Sequence, residues 1–141
     1  MRITRNVVIA RPVDEVFAYL SDFTTTTSWD PGTVKTTLIS GAGGVGTKYA
    51  NTSTFNGRQT NLVYEVVDYE LGRRIQLRGS NKTIIAVDTI TFKEVEGGVS
   101  VTYDASFTFK GITKLIAPFL AAEFKRLGDE AEIGLRNAFS K

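Results

Sequence analysis

The sequence contains neither cysteine nor histidine. Without cysteine there are no disulfides and no thiolate metal sites, and a reducing compartment suits the chain. With both residues missing, every Ser-His and Cys-His nucleophile arrangement is excluded, as are the usual zinc ligand sets. Acid–base chemistry is left to Asp, Glu, Lys or Tyr with shifted pKa values. An excess of one charge is lacking too: 17 Lys and Arg stand against 15 Asp and Glu, a formal net charge of +2. That balance gives no reason to expect a nucleic-acid partner. The densest basic stretch, Arg73, Arg74, Arg78 and Lys82, has no interleaved stacking aromatics and reads as a solvated strand edge. Long apolar runs are also missing. The run at residues 7–10 is cut short by Arg11, too early for a secretory segment or a membrane span. The cytoplasm is therefore the expected location, with no stable membrane insertion.

What is present is ordinary for a globular chain: 42% hydrophobic and 23% charged residues. Its 141 residues suit one domain, 1–141. Residues 2–10 are rich in Ile and Val and read as a strand. Residues 11–20 then switch to helical spacing, with Pro12 near the start and Val13, Val16, Phe17 and Leu20 on one face. Asp14 and Glu15 fall in the first turn, where the helix dipole favours them. The polar, Thr-rich residues 22–28 read as a weak short helix or a loop, and Trp29-Asp30-Pro31-Gly32 as a turn.

From residue 33 the period is two. Strands are expected at 34–40, 47–55, 61–70, 74–80, 83–95 and 99–109, with hairpin connections at Asn56-Gly57, Leu71-Gly72, Asn81-Lys82 and Glu96-Gly97-Gly98. The last strand alternates most cleanly: Val99, Val101, Tyr103, Ala105, Phe107 and Phe109 share one face, and Ser100, Thr102, Asp104, Ser106 and Thr108 the other. Beyond Gly111 the pattern is helical, with Ile116, Leu120, Phe124, Leu127, Ala131, Leu135 and Ala138 forming an apolar stripe. Pro118 marks the expected start of the helix proper, and Leu127 is expected mid-helix on the buried stripe.

Residues 41–46, Gly-Ala-Gly-Gly-Val-Gly, match the spacing of the dinucleotide-binding fingerprint. That fingerprint works only where a helix N-terminus follows the glycines and meets the phosphate. Here the following residues, 47–55, are β-branched and aromatic and end at Asn56-Gly57. A strand is expected, so no nucleotide cofactor is, and Gly41, Gly43, Gly44 and Gly46 are expected to supply positive φ in a hairpin connection.

Among the acids, Asp68 and Glu70 read as a strand end, and residues 128–132 as the solvated face of a helix. Asp88 lies in the apolar run 84–92. If Ile90 and Phe92 point to the core, Asp88 shares their face and is either paired structurally or lines a wet cavity; otherwise it faces outward. Tyr49, Asn51 and Ser53 put polar groups on one strand face, and an apolar wall with a few polar points is the pattern of a ligand cavity.

The order of these elements resembles the polyketide cyclase/dehydrase and lipid-transport superfamily, also called START-like or Bet v 1-like. The residues that carry the resemblance are Arg11–Phe23, the Trp29–Gly32 loop, Val45–Thr47, Tyr64–Ile75, Gly97–Tyr103 and the long final helix. It implies an α+β helix-grip fold, a curved antiparallel sheet of about seven strands around a long C-terminal helix, with two short helices after the first strand. It also implies a cavity between sheet and helix for a small hydrophobic molecule (lipid, quinone or polyketide-like). Trp29 would sit near one end of that cavity. Tyr49, Asn51, Tyr64, Asp88, Tyr103 and Phe107 would line it from the sheet, and Phe119, Glu123 and Leu127 from the helix. A non-enzymatic carrier or sensor is the leading expectation. The alternatives are a cyclase or dehydratase using Asp and Tyr as acid–base groups, and an interaction protein of the ribosome-associated toxin type.

Overall fold

The computed structural model describes residues 1–55, 57–115 and 117–140. Asn56 of the Asn56-Gly57 connection and Ile116 of the helical stripe lie outside the described residues. The chain runs β1 (Arg2–Ile9), α1 (Val13–Ser21), a 3-10 turn (Phe23–Thr25) and the short helix α2 (Thr26–Trp29). Six further strands follow: β2 (Thr33–Ser40), β3 (Lys48–Phe55), β4 (Arg58–Glu70), β5 (Arg74–Ser80), β6 (Ile84–Val95) and β7 (Gly98–Phe109). After two 3-10 turns, Gly111–Leu115 and Ala117–Leu120, comes the C-terminal helix α3 (Ala121–Ala138).

All seven strands join one antiparallel sheet in the order β1-β7-β6-β5-β4-β3-β2. The sequence neighbours β2 to β7 are joined by hairpins, and β1 closes against β7 with Val7 opposite Val101. Register shifts in β2 and between Val66 and Asp68 in β4 mark bulges, which bend strands and deepen twist. Val99, Val101, Tyr103 and Ala105 are buried on the concave face of β7, and Ala86, Asp88, Ile90 and Phe92 are buried on β6. This is the helix-grip α+β arrangement, with α3 against the concave face.

Each helix is shaped by its apolar side. Pro12 precedes α1 with φ of −60°, and Val16, Phe17 and Leu20 are buried. Phe17 packs edge to face on Phe92, with centroids 5.0 Å apart. On α3 the buried positions are Phe124, Gly128, Ala131 and Leu135. Leu127 is half-buried rather than central to that stripe, because Gly128 makes the closest approach to the sheet. A Cβ at Gly128 would lie 2.4 Å from Ile3 Cγ2, and one at Gly134 would lie 1.8 Å from the backbone oxygen of Trp29. These two glycines let α3 settle on β1 and on the end of α2.

Three details depart from the sequence expectation. The helix proper begins at Ala121, after the 3-10 turn that contains Pro118. Gly41, Gly43 and Gly46 have positive φ, whereas Gly44 does not. Arg74 and Arg78 lie on β5, an inner strand, since the sheet edges are β1 and β2; Arg74 is held by Asp68 at 2.7 Å. The expected strand β3 does follow the glycine loop, so a hairpin, not a helix N-terminus, adjoins it.

Candidate functional site

Between the concave face and α3 lies a cavity of about 110 Å³. Its floor is the sheet: Leu62 and Tyr64 from β4, Ile84 and Asp88 from β6, and Tyr103, Ala105 and Phe107 from β7. Its roof is α3, through Phe124, Leu127, Gly128 and Ala131. Asp30 and Gly32 of the turn after α2 close one side, with Ser53, Thr54 and Phe55 of β3. At the far end Phe55, Phe107 and Phe109 gather round Phe124, with centroids 4.8, 4.7 and 5.9 Å from it. The cavity thus sits where the main core meets this smaller aromatic cluster.

Into this mainly apolar space come a few polar groups. Asp88 is only 5% exposed and shares the face of Ile90 and Phe92, which removes the outward-facing alternative, and it lies in the cavity lining. Tyr103, on the neighbouring strand β7, stands where its hydroxyl favours the charged form of Asp88. Burial, reinforced by the charge of Asp30, nevertheless pushes the Asp88 carboxyl up to about 8. At neutral pH this group therefore holds its proton. The Tyr64 and Tyr103 phenols are pushed well above their ordinary value by burial, and Asp88 and Asp30 add to the effect.

Tyr64 owes its place to a neighbour without a side chain. Its ring lies against Gly79, its partner on β5, where a Cβ would sit 2.6 Å from the ring edge. Its hydroxyl has no hydrogen-bond partner among the described residues. No side-chain polar atom sealed from solvent among them lacks a partner. The Tyr64 hydroxyl is therefore open to the cavity rather than shut in packing.

Asp30 is the residue that sequence reasoning missed. Its carboxylate accepts from the Gly32 N–H at 3.2 Å and from Thr33 Oγ1 at 3.1 Å, which is turn chemistry as expected. The same side chain lines the cavity, and burial raises its pKa despite those two hydrogen bonds. An Asp-Pro-Gly turn accounts for the aspartate so fully that no local signal gives it a second role. Gly32, Thr54, Phe55 and Phe124 also join the lining, beyond the ligand contacts expected from sequence, and Ser53 of the polar face of β3 is there as well.

Of the residues expected to line the cavity, Tyr64, Asp88, Tyr103, Phe107 and Leu127 do so. The others lie elsewhere. Trp29 is buried behind Tyr103, and its indole N–H donates to Thr25 Oγ1 at 3.2 Å. Tyr49 packs on Phe23, with centroids 5.9 Å apart, below the short helices. Asn51 belongs to a closed polar chain. It donates to Thr36 Oγ1 at 3.0 Å and accepts from Ser53 at 2.7 Å, while Thr36 and Thr26 share a 2.7 Å bond. Those bonds satisfy the polar groups that look out of place in a dry core. Glu123 is half-buried on α3 and pairs with Arg126, outside the cavity lining, and Phe119 is 84% exposed on the 3-10 turn that precedes the helix.

Among the described residues Asp30 and Asp88 are the carboxyl groups of this lining, and no group of three or more His, Cys, Asp or Glu that could hold a metal ion occurs among them. None of the helices among the described residues is long and apolar enough to cross a membrane.

A sheet gripping a C-terminal helix over an internal cavity defines the class. The chain belongs to the polyketide cyclase/dehydrase and lipid transport family, whose model matches residues 1–137. Among solved structures it is similar to the Zhui aromatase/cyclase from Streptomyces sp. R1128, with a TM-score of 0.81 and 13% identity over 96% of this chain and 90% of that one. It is also similar to TTHA0849 from Thermus thermophilus, with a TM-score of 0.79 and 13% identity over 100% of both chains. Ara h 8.0201 has a TM-score of 0.64 and 12% identity over 96% of this chain and 97% of that one. At these identities the likeness is one of fold. No curated protein matches the chain in sequence.

Proposed function

We propose that the protein binds one small, mainly apolar ligand in the cavity beneath α3. The observation that carries this reading is the lining itself: an apolar wall into which Asp88, Tyr64 and Tyr103 turn their polar groups. A dry core would fill such a space or leave it without polar groups, whereas a binding site needs a few orienting ones. Size narrows the ligand. A cavity of about 110 Å³ is close to the ~150 Å³ that holds a benzene ring. It falls below the roughly 300–1,000 Å³ of sites for larger ligands. One ring fits as the protein stands, and a lipid or polyketide chain requires α3 to lift. The test is thermal melting and calorimetric titration with toluene, phenol and indole. The expected result is a stoichiometry near one and a higher Tm, by about 2.7 kcal/mol of stabilisation at a hundredfold excess over Kd. No binding by any ring probe would sink the reading.

One observation favours an enzymatic reading as well. A carboxylic acid that keeps its proton at neutral pH, beside a phenol, can protonate a leaving hydroxyl or a carbonyl oxygen. On that reading Asp88 acts as the acid in a cyclisation or dehydration of an aromatic precursor. Turnover of a bound hydroxyketone, lost in Asp88→Asn, separates it from a carrier that returns its ligand unchanged.

A further inference from the structure

The lining holds two carboxyl groups and two phenols, but among the described residues no lysine or arginine. From this arrangement, and resting on the reading that the cavity binds a ligand, we propose that its ligand is a ring-sized amine carried in as its ammonium ion. Asp88 is 5% exposed and Tyr64 6%, and both turn into the cavity from adjoining regions of one face. Tyr103 is the one side-chain hydroxyl that acts on Asp88 among the described residues, which leaves most of the acceptor capacity of a carboxylate unused. Tyr64 adds a hydroxyl with no protein partner among the described residues. An ammonium group has three donors and no acceptor, and needs such a set of oxygens. An anionic ligand would meet two acids in a low-dielectric space whose lining holds no cationic side chain among the described residues.

The groups that face Asp88 come from every neighbouring element. Tyr64 stands on β4, Tyr103 on β7 and Asp30 on the turn after α2; Asp104, on the opposite face of β7, is paired with Arg2 and acts through the sheet, and Arg5 of β1 lies against Gly128 of the roof, paired with Asp129. Helix α3 contributes apolar lining side chains, with Glu130 acting on Asp30. The charges that act on Asp88, those of Asp30 and Asp104, are negative, and with burial they hold its proton when the site is empty, while Arg5 is ion-paired with Asp129. Binding then has a proton balance. An ammonium ion that displaces the Asp88 proton leaves a carboxylate–ammonium pair and releases one proton to solvent. Affinity for an amine rises with pH towards 8 and beyond, until the amine itself loses its charge.

The experiment uses three probes of one shape: benzylamine, benzyl alcohol and benzoate, titrated calorimetrically at pH 7 and 8 in two buffers of different ionisation enthalpy. The expected result is benzylamine at least tenfold tighter than benzyl alcohol at pH 8, with benzoate weakest. The heat of amine binding should change with the buffer, and that of the alcohol should not. In Asp88→Asn the ratio of amine to alcohol affinity should fall to near one. Should that variant fail to fold, Asp30→Asn should lower the same ratio severalfold. Alcohol binding as tight as amine, or benzoate binding tightest, would overturn the amine proposal and leave the binding site standing. Binding of none of the three would overturn both.

Discussion

The indole ring of Trp29 meets the phenol ring of Tyr103 edge to face, with centroids 5.7 Å apart and planes at 79°. Tyr103 thus has the cavity on one side and the only tryptophan on the other. A ligand that touches Tyr103 should alter Trp29 emission without touching Trp29. Toluene titration is expected to give a saturable emission change whose midpoint matches the calorimetric Kd. Binding with unchanged emission would place the ligand away from Tyr103.

The raised pKa of Asp88 has a consequence for stability. The folded value is about 8, while an unfolded aspartate titrates near 3.9. The folded state therefore holds this proton more tightly, and the associated stability is full below about pH 4 and lost as pH rises through 8. Each pH unit between the two values is worth at most about 1.4 kcal/mol. Urea unfolding at pH 5, 6.5 and 8 should show stability falling with pH in the wild type. Asp88→Asn should flatten most of that slope, with Asp30 leaving a smaller residue of the same sign. A wild-type stability that rises over this interval would contradict the burial of Asp88.

Gly134 should resist the substitution that helix propensity favours. Alanine is worth up to about 1 kcal/mol more than glycine within a helix. Here the added Cβ would fall 1.8 Å from the Trp29 backbone oxygen, where only movement of backbone can relieve it. Gly134→Ala is expected to destabilise by about 1–3 kcal/mol, the usual range for overpacking. An unchanged or higher Tm would show that α3 does not lie this close to α2.

The two leucines of α3 should separate stability from binding. Leu135 is fully buried, and Leu135→Ala is expected to cost about 2–5 kcal/mol. Leu127 is half-buried at the cavity roof, so Leu127→Ala should cost less than about 2 kcal/mol. It should also widen the cavity and tighten binding of a two-ring probe such as naphthalene relative to toluene. Equal losses of stability, with no change in that preference, would show that Leu127 is ordinary core.

How legible the site is in sequence depends on the strand. On β7 the alternation from Val99 to Phe109 is unbroken, and Tyr103 and Phe107 do line the cavity from the face it defines. On β6 both faces are apolar, so Asp88 cannot be assigned until its neighbours are placed. On β3 Tyr49, Asn51 and Ser53 do share a face, but a curved sheet divides one face among several environments. Tyr49 goes beneath the short helices, Asn51 into the bond chain with Thr36, and Ser53 to the cavity. The roof is hardest to read. A glycine within a helix reads as weak propensity, and the proximity of Gly128 to Ile3 depends on a strand over a hundred residues earlier. An isolated glycine inside a helical pattern is nevertheless a signal of close packing, and it is present here twice, at Gly128 and Gly134.

The most direct measurement fills the cavity from the sheet. Ala105 is buried, lines the space and sits opposite Asp88 on β6. Ala105→Leu puts three further carbons where room exists, and toluene titration against wild type reads the outcome. Loss of toluene binding with Tm unchanged or raised is the result expected of an internal binding site. Toluene binding as tight as wild type, in a variant that melts lower, would contradict it.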